Sequence, residues 1–319
     1  MDQKKKVVIL GGGNGGSISI RAMKSFIDEY SISAIIAMSD SGSSSGKLRQ
    51  QLGVLPPGDI LRAILAMSTY EYDMLKRIFY DTRYSEHGKL QGFGVGHLFL
   101  ALAEKYSGGI IDAIRALAQA VDAVGPVFPV TLQQTNLCAE LTNGVVVTGE
   151  HKIDRPEWDR SVRIKRAWLE PEVVIYERAK REILSADVII IGPGSFYTSI
   201  IATLLPQGVR EALGETTAKI MFVSGNAIES NGETGPTSTS EIIDILHTYL
   251  PREVDMVVSN SHELDSRQLV YYQEKGWERI HIDTEKVTVP IISAPFELAQ
   301  GGLDPVALGQ LIHDYLKQD

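Results

Sequence analysis

Glycine-rich turns follow two of the apolar runs in this sequence, and their residue types suit phosphate binding. The first turn, at residues 11–17, follows the run at 7–10, and the second, at 192–195, follows the run at 188–191. Because glycine has no Cβ, the backbone of such a turn can approach an anion closely, and the free N–H groups at a helix start point towards it. A plain strand-to-helix turn would explain one such sequence, but two in one chain favour phosphate binding.

A serine-rich loop with one carboxylate and two cations follows the next apolar run, at residues 39–49. If that run is a parallel strand, the loop lies at the carboxyl edge of the sheet, where open α/β sheets bind ligands. The loop is not a Walker A motif, because the spacing from Gly42 to Gly46 is one residue short and Leu48 replaces the Ser or Thr that binds magnesium. Asp40 is left with four roles: a ribose contact, an Mg²⁺ ligand, the orientation of an attacking hydroxyl, or a turn cap.

The composition excludes several classes of function. The 319 residues are 44% hydrophobic and 22% charged, which suits a soluble chain with a sizeable core. A net charge of −9 disfavours binding to nucleic acid or to an anionic membrane, because both need clustered Lys and Arg. The single Cys138 cannot form an internal disulfide, and no apolar run is long enough for a signal-peptide core or a membrane span. We therefore expect a cytoplasmic protein, and its oligomeric state stays open, with a homo-oligomer as one alternative.

Short β-branched runs alternate with helical segments along the chain, which is typical of βαβ units. We predict the α/β class: a Rossmann-like three-layer α/β/α fold with a mostly parallel sheet, formed by residues 1–319 as a single domain. Between about residues 130 and 170 the pattern changes to alternation around Asn143 and Gly144, which predicts a β-hairpin with a type I′ turn as an excursion from this body. A domain boundary near residue 130 or 170 is only weakly marked.

Other polar residues give weaker signals. His97 ends a third glycine stretch and lies near the start of an apolar helix, where the helix dipole disfavours its protonation. A zinc site is not predicted, because the histidines are scattered and one cysteine is too few. A hydrolase triad is not predicted either, because Ser195 lacks the G-x-S-x-G context.

The order of these segments resembles the YvcK/CofD family over nearly the whole chain. The matching segments are the turn at 11–17, the loop at 39–49, Leu55-Pro56-Pro57-Gly58-Asp59-Ile60, Thr148-Gly149-Glu150, Gly192-Pro193-Gly194-Ser195-Phe196-Tyr197-Thr198-Ser199-Ile200 and Asn226 with Gly232-Glu233-Thr234. Each segment alone is modestly specific, whereas their order is a strong match. The Pro-Pro-Gly-Asp and Tyr-Thr-Ser-Ile stretches look more like the YvcK branch of gluconeogenesis factors than the branch of the 2-phospho-L-lactate transferase.

The resemblance implies a cytoplasmic nucleotide-binding protein. On the YvcK branch it implies binding of a UDP-sugar and a role in carbon metabolism, cell shape and the supply of cell-wall precursors. On the CofD branch it implies a transferase that moves a phosphorus-containing group from a nucleotide-diphosphate carrier. A third and weaker alternative, an NAD(P)-dependent oxidoreductase, depends on the glycine pattern at residues 11–16. The residues specify no particular cofactor, and the one that they suggest is Mg²⁺ at Asp40.

The glycine turns and the resemblance together predict a set of residues that bind phosphate or other parts of a ligand. They are Gly12, Gly13, Asn14, Gly15, Ser17, Ser41, Ser44, Lys47, Asp59, Gly192, Gly194, Ser195, Tyr197, Thr198, Asn226, Glu233, Thr234 and Tyr272. Asp40 is the candidate for a catalytic or metal-binding role. Structural roles stay open for several of them: Asp59 as a helix cap, Tyr272 as core packing, and Glu233 as a partner in loop hydrogen bonds.

This chain departs from the family pattern at several polar positions. Asn14 replaces a threonine, Leu61-Arg62 replaces an Arg-Asn pair, and Ile228-Glu229-Ser230 replaces Met-Thr-Gln. The arginine expected before Asp304 is missing. Loss of one charge-assisted hydrogen bond, about 1.5–3 kcal/mol, is enough to change ligand preference. The identity of the ligand therefore stays open at this point.

Overall fold

A computed structural model describes residues 4–85 and 90–318, and strands alternate with helices along this length. The strands are β1 (Lys5–Gly11), β2 (Tyr30–Ile36), β3 (Val127–Pro129), β4 (Asn136–Leu141), β5 (Val146–Thr148), β6 (Ile164–Glu170), β7 (Val188–Ile191), β8 (Lys219–Val223), β9 (Ala227–Glu229), β10 (Met256–Asn260), β11 (Trp277–Arg279) and β12 (Ile291–Ala294). The helices are α1 (Gly13–Lys24), α2 (Ser43–Leu52), α3 (Gly58–Met67), α4 (Tyr72–Leu75), α5 (Val95–Ser107), α6 (Ile110–Ala120), α7 (Glu150–Asp154), α8 (Glu177–Leu184), α9 (Ala202–Leu204), α10 (Val209–Glu215), α11 (Thr239–Tyr249), α12 (Ser266–Lys275) and α13 (Pro305–Gln318). Two π-helical segments, Lys76–Asp81 and Phe196–Ile201, adjoin α4 and α9, and Thr284–Lys286 forms a 3₁₀ turn.

Seven of the strands form one sheet in the order β12-β10-β8-β7-β1-β2-β3. Every neighbouring pair in it is parallel; Val7 of β1, for example, pairs with Ile32 of β2 and with Val188 of β7. The central strands are buried on both faces, which is why their sequences are continuous apolar runs without alternation. The predicted α/β class is confirmed, and the main sheet is parallel throughout.

The strand order reverses between β1 and β7. Because crossover connections between parallel strands are right-handed, α1 between β1 and β2 lies on one face of the sheet, and α10 between β7 and β8 lies on the other. Helices α3 and α13 pack beside α1. This arrangement gives the three predicted layers. It also opens a crevice beyond the carboxyl ends of β1 and β7, where ligands of such sheets bind.

The predicted β-rich excursion is a separate antiparallel sheet in the order β5-β4-β6. The hairpin between β4 and β5 is present, but its predicted type I′ turn is wrong. The N–H of Gly144 donates to the carbonyl of Leu141 at 2.9 Å, and Gly144 has a φ of +85° while Asn143 does not have a positive φ. This is a three-residue loop in which a type I turn is followed by a left-handed glycine, a loop that an Asn-Gly sequence also allows.

Buried apolar side chains form one contiguous core that runs from β1 to α13. A smaller cluster of Leu48, Val54, Phe93 and Ala101 joins α2 to α5 and so fixes the serine-rich loop that leads into α2. Among the residues that the structure describes, no helix has the length and apolar character needed to cross a membrane.

Candidate functional site

A cleft of about 750 Å³ opens at the carboxyl edge of the parallel sheet, where the strand order reverses. Its walls are the two glycine turns, the start of α3, helix α7 and the loop between β8 and α11. Many of the residues predicted from sequence line it: Gly13, Asn14, Gly15, Asp40, Asp59, Gly194, Ser195, Thr198, Asn226, Glu233 and Thr234. The fold thus brings together segments from both halves of the chain.

The two glycine turns touch each other at the base of this cleft. A Cβ atom on Gly15 would lie 2.1 Å from the carbonyl oxygen of Pro193, so only glycine fits at that position. Gly13 adopts a φ of +59° and Gly192 a φ of +79°, both in the region that favours glycine. Gly12 caps the N-terminus of α1. The glycines therefore make possible a close backbone contact between β1–α1 and the turn after β7.

The carboxylate of Asp59 lies over the first glycine turn. A Cβ atom on Gly12 would lie 2.6 Å from Asp59 Oδ2, and a Cβ atom on Gly13 would lie 3.9 Å from Asp59 Oδ1. Asp59 does not cap its own helix, because Pro57 is the N-cap residue of α3 and Asp59 lies in the first turn. Burial and the nearby Asp40 carboxylate raise the pKa of Asp59.

The carboxylate of Glu233 occupies the second glycine turn in a similar way. It accepts hydrogen bonds from the backbone N–H groups of Tyr197 and Thr198, each at 3.1 Å, at the start of the helical segment that follows Ser195. Burial raises the pKa of Glu233 to about 7. A side chain of the protein thus already satisfies N–H groups that the sequence suggested for phosphate.

Four carboxyl groups gather on the acidic side of the cleft: Asp40, Asp59, Glu150 and Asp154. Glu150 begins α7 and accepts the N–H of Ser41 at 3.0 Å, and burial together with Asp40 raises its pKa. Burial also raises the pKa of Asp154. Neither Glu150 nor Asp154 was among the site residues predicted from the sequence. The position of Glu150 directly after the hairpin, within a matching segment, was the available signal.

Asp40 has one oxygen in its own turn and the other near α3. Its Oδ1 accepts the N–H of Gly42 at 2.8 Å, and a Cβ atom on Gly58 would lie 2.6 Å from its Oδ2. The glycine at position 58 therefore lets the Asp40 carboxylate approach the residue before Asp59. In the described ranges, no group of three or more His, Cys, Asp or Glu side chains could hold a metal ion. The pair of Asp40 and Asp59 suits Mg²⁺, which binds through one or two carboxylates together with ligand phosphates and water.

Four arginines supply the positive charge of the cleft: Arg62, Arg155, Arg160 and Arg163. Arg155 pairs with Glu229 at 2.7 Å, and Arg163 pairs with Glu241 at 2.6 Å. None of these arginines was predicted to bind a ligand, because they are scattered singly on α3 and on the loop between α7 and β6 and form no motif.

The remaining predicted residues lie behind or beside the cleft walls. Ser17 donates to the carbonyl of Gly13 within α1, Ser41 accepts the N–H of His151 at 2.9 Å, and Ser44 donates to the carbonyl of Gly92 at 3.2 Å. Lys47 is exposed on α2. Tyr197 is fully buried, and its hydroxyl donates to the carbonyl of Ile164 at 3.3 Å. These side chains support the loops of the site and are not among the groups that face the cleft.

Tyr272 lies in a buried polar network behind Asn226. Its hydroxyl donates to Glu297 at 2.9 Å and accepts from the Asn226 amide at 2.7 Å. Glu297 also accepts hydrogen bonds from the side-chain amides of Asn226 and Asn260 and from the N–H of Gly302. Tyr272 therefore orients Asn226, which faces the cleft, instead of lining the cleft itself.

A family model described as 2-phospho-L-lactate transferase CofD matches residues 7–297. This chain belongs to the CofD family. The match begins within β1 and ends after β12. It includes both glycine turns and all the residues that line the cleft except Gly302 and Leu303.

Relatives of this CofD-family protein include proteins named gluconeogenesis factor. One from Halalkalibacterium halodurans is 34% identical over 93% of this chain and 91% of its own length, and one from Bacillus subtilis is 32% identical over 90% of this chain and 88% of its own. A crystal structure from Bacillus halodurans, described as a member of the UPF0052 family, superposes with a TM-score of 0.88 at 30% identity and covers 98% of this chain and 100% of that one. The family resemblance read from the sequence is confirmed.

His97 of this CofD-family protein lies near the cleft, beside the Tyr80 ring at 4.8 Å between ring centroids. Burial, with contributions from Arg83 and Arg62, lowers the pKa of His97 to about 4. The pKa of His97 is lowered, as predicted from its position near a helix start, but the main cause is burial and not the helix dipole. Within the described residues its Nδ1 is buried with no hydrogen-bond partner.

Proposed function

We propose that this CofD-family protein binds a nucleoside diphosphate, with a UDP-sugar as the leading ligand, in the cleft between its glycine turns. The observation that carries the proposal is the contact of the two turns at Gly15 and Pro193, beside the carboxylates of Asp40 and Asp59. Turns of this kind at the reversal point of a parallel sheet are where dinucleotides and related ligands bind. The cleft volume of about 750 Å³ lies within the range of small-molecule sites.

The charges of the cleft support a metal-bound form of this ligand. A diphosphate that approached Asp40 and Asp59 without a counterion would be repelled by both carboxylates. We propose that Asp40 and Asp59 would hold Mg²⁺, which would supply the positive charge needed to offset the two carboxylates and a phosphate at the first turn. Bound Mg²⁺ would also compete with a proton for Asp59, whose pKa is raised without it.

The other end of the cleft suits a nucleoside or a sugar. Trp277, Ile280 and Ile228 provide apolar surface, and Asn226 and Thr234 provide hydrogen-bonding groups next to it. Asn226 is oriented by Tyr272 and Glu297, and Thr234 accepts the indole N–H of Trp158 at 3.1 Å. Pre-oriented polar groups beside an aromatic surface are typical of sites that select one base or sugar.

By this proposal the protein is a cytoplasmic sensor of nucleotide sugars that regulates carbon metabolism and the supply of cell-wall precursors. A transferase of the CofD type is the second candidate. The protonatable carboxyl groups of Asp59 and Glu150 beside Asp40 favour it, because shifted pKa values of this kind occur at sites of proton transfer. The two candidates differ in whether the bound ligand is turned over.

The test is a binding screen followed by a turnover assay. Thermal unfolding would be measured with UDP-sugars, UDP, GDP, ATP, NAD and NADP, each with and without Mg²⁺. A ligand at a hundred times its Kd stabilises the folded state by about 2.7 kcal/mol. We expect the largest rise in Tm for a UDP-sugar with Mg²⁺, and loss of the Mg²⁺ effect in Asp40→Asn. The exposed Lys47→Gln on α2 serves as the control and should retain the shift.

The outcomes separate the candidates. A UDP-sugar that binds and is recovered unchanged supports the sensor. A guanine nucleotide that binds best, with transfer of a phosphorus-containing group that Asp40→Asn abolishes, supports the transferase. If NAD or NADP alone stabilises the protein, or no nucleoside diphosphate does, the proposed function is wrong.

A further inference from the structure

The cleft contains more acidic side chains than one Mg²⁺ ion would neutralise, so a phosphate ligand also needs positively charged side chains. Six acidic side chains line the cleft: Asp40, Asp59, Glu150, Asp154, Glu229 and Glu233. Of the four arginines, Arg155 and Arg163 are held by Glu229 and Glu241. In the part of the chain that the structure describes, Arg62 and Arg160 are the cleft arginines without a direct ion pair to a carboxylate. They are the positive charges that remain free for a ligand.

Arg62 is held in a fixed orientation beside the first glycine turn. One Nη donates to the side-chain oxygen of Asn14, and the other donates to the Tyr80 hydroxyl at 2.5 Å. The guanidinium also stacks over the Tyr80 ring at 4.1 Å from its centroid. Its Nε is buried and has no hydrogen-bond partner in the described ranges. Its direct hydrogen-bond partners are neutral, and the Asp59 carboxylate acts on it only without a direct ion pair in the described ranges. Arg62 can therefore bind an anion at Asn14.

Arg160 is anchored near the second glycine turn. One of its Nη atoms donates to the carbonyl of Gly232 at 2.8 Å, directly before Glu233, and the residue is otherwise exposed to the cleft. Glu233 is the carboxylate on the N–H groups of Tyr197 and Thr198. A phosphate near that turn would be repelled by Glu233 in its charged form, and Arg160, anchored to the residue before Glu233, is the cleft arginine placed to offset that charge.

We propose that Arg62 and Arg160 form a two-part clamp for a diphosphate, with Arg62 binding the phosphate at the first glycine turn and Arg160 binding the one closer to the second turn. This inference rests on the proposed function and assigns its phosphate-binding side chains. Guanidinium groups bind phosphate through two parallel N–H bonds, and a pre-oriented group loses little entropy on binding. The clamp makes affinity depend on the diphosphate group more than on the base.

The experiment is calorimetric titration of the full chain with UDP and, separately, with inorganic pyrophosphate, both in Mg²⁺. The variants are Arg62→Gln, Arg160→Gln and the double variant. Arg62→Lys keeps the charge but removes the planar fork. Arg21→Gln is the matched control, because Arg21 also stacks on a tyrosine, Tyr72 at 4.6 Å, but lies outside the cleft. Circular dichroism and Tm check that each variant is folded.

We expect Arg62→Gln and Arg160→Gln each to weaken binding of both probes by about tenfold to a hundredfold. Arg62→Lys should lose less affinity than Arg62→Gln, and Arg21→Gln should change the affinity by less than twofold. If UDP binds the wild-type chain and the folded Gln variants retain its affinity, the clamp is wrong and the proposed function stands. If pyrophosphate binds in an arginine-dependent way but no nucleotide does, the clamp stands and the nucleotide function is wrong. If the wild-type chain binds neither probe, both are wrong.

Discussion

Replacement of Glu233 by Gln tests the arrangement at the second glycine turn. Glu233 accepts backbone N–H groups from Tyr197 and Thr198, yet burial raises its pKa from an ordinary value of 4.5 to about 7. The folded protein therefore binds this proton more tightly than the unfolded chain does. Stability falls as the pH rises between these two values, because the unfolded state loses the proton first.

The magnitude follows from the two pKa values. A rise of this size corresponds to about 3 kcal/mol in total, most of it lost between pH 5 and pH 8. The Glu233→Gln variant has no proton to lose, so its stability relative to wild type should increase by about 2–3 kcal/mol over that range. Urea unfolding at several pH values, followed by circular dichroism, measures this difference directly.

Glu229→Gln is the matched control for this measurement, because Glu229 lines the same cleft but is exposed and paired with Arg155. Its stability difference from wild type should change by less than about 0.5 kcal/mol over the same range. A constant difference between Glu233→Gln and wild type from pH 5 to pH 8 would refute the reasoning. It would mean that Glu233 stays charged in the folded state, stabilised by its N–H donors more than burial destabilises it.

Three further predictions concern the packing around the site. Gly15→Ala should lower the free energy of unfolding by at least about 3 kcal/mol, because its Cβ would overlap the Pro193 carbonyl. Gly53→Ala is the control: it lies in open space at a φ of +69° and should cost about 1–2 kcal/mol in the same denaturation assay. Similar costs for the two variants would contradict the contact of the turns. The His97 ring should stay neutral down to about pH 5 in a side-chain NMR titration, and a midpoint above pH 6 would contradict its burial. Stability linked to His97 should be complete above pH 6.5 and be lost as the pH falls towards 4. Tyr272→Phe should cost about 1–3 kcal/mol in denaturant, since Glu297 loses a buried donor, and an unchanged midpoint would argue against that network.

The carboxylates of Asp59 and Glu233 restrict how a phosphate can bind at the glycine turns. Glu233 satisfies N–H groups that would otherwise be unpaired at a helix start, and the Asp59 carboxylate lies against the first glycine turn. A phosphate at either turn must replace a carboxylate or bind beside it through a metal ion or an arginine. We therefore expect ligand affinity to depend on pH near neutrality, where Glu233 changes its charge.

The apolar runs at 7–10 and 188–191 were sufficient to predict parallel strands, because strands covered on both faces lose the alternation of half-exposed ones. The glycines after them were sufficient to predict turns at the carboxyl edge. The Asn143-Gly144 pair predicted a hairpin but not its turn type, since the sequence is compatible with more than one short loop and strand pairing selects among them.

Which side chains meet in the site could not be predicted from the sequence, because it depends on the tertiary structure. No periodicity links Asp59 to Gly13, Glu233 to Tyr197, or Glu150 to the serine-rich loop, because each carboxylate comes from a different loop or helix start. Hydrogen bonds between distant polar groups leave no repeating pattern in a sequence, whereas burial of a strand or helix face does. The apolar runs, the glycines and the order of the motifs were enough to predict a mostly parallel α/β fold, its glycine turns and the family. The strand order and the side chains that meet the turns emerge only in the folded chain, because short polar contacts depend on positions that the whole core sets.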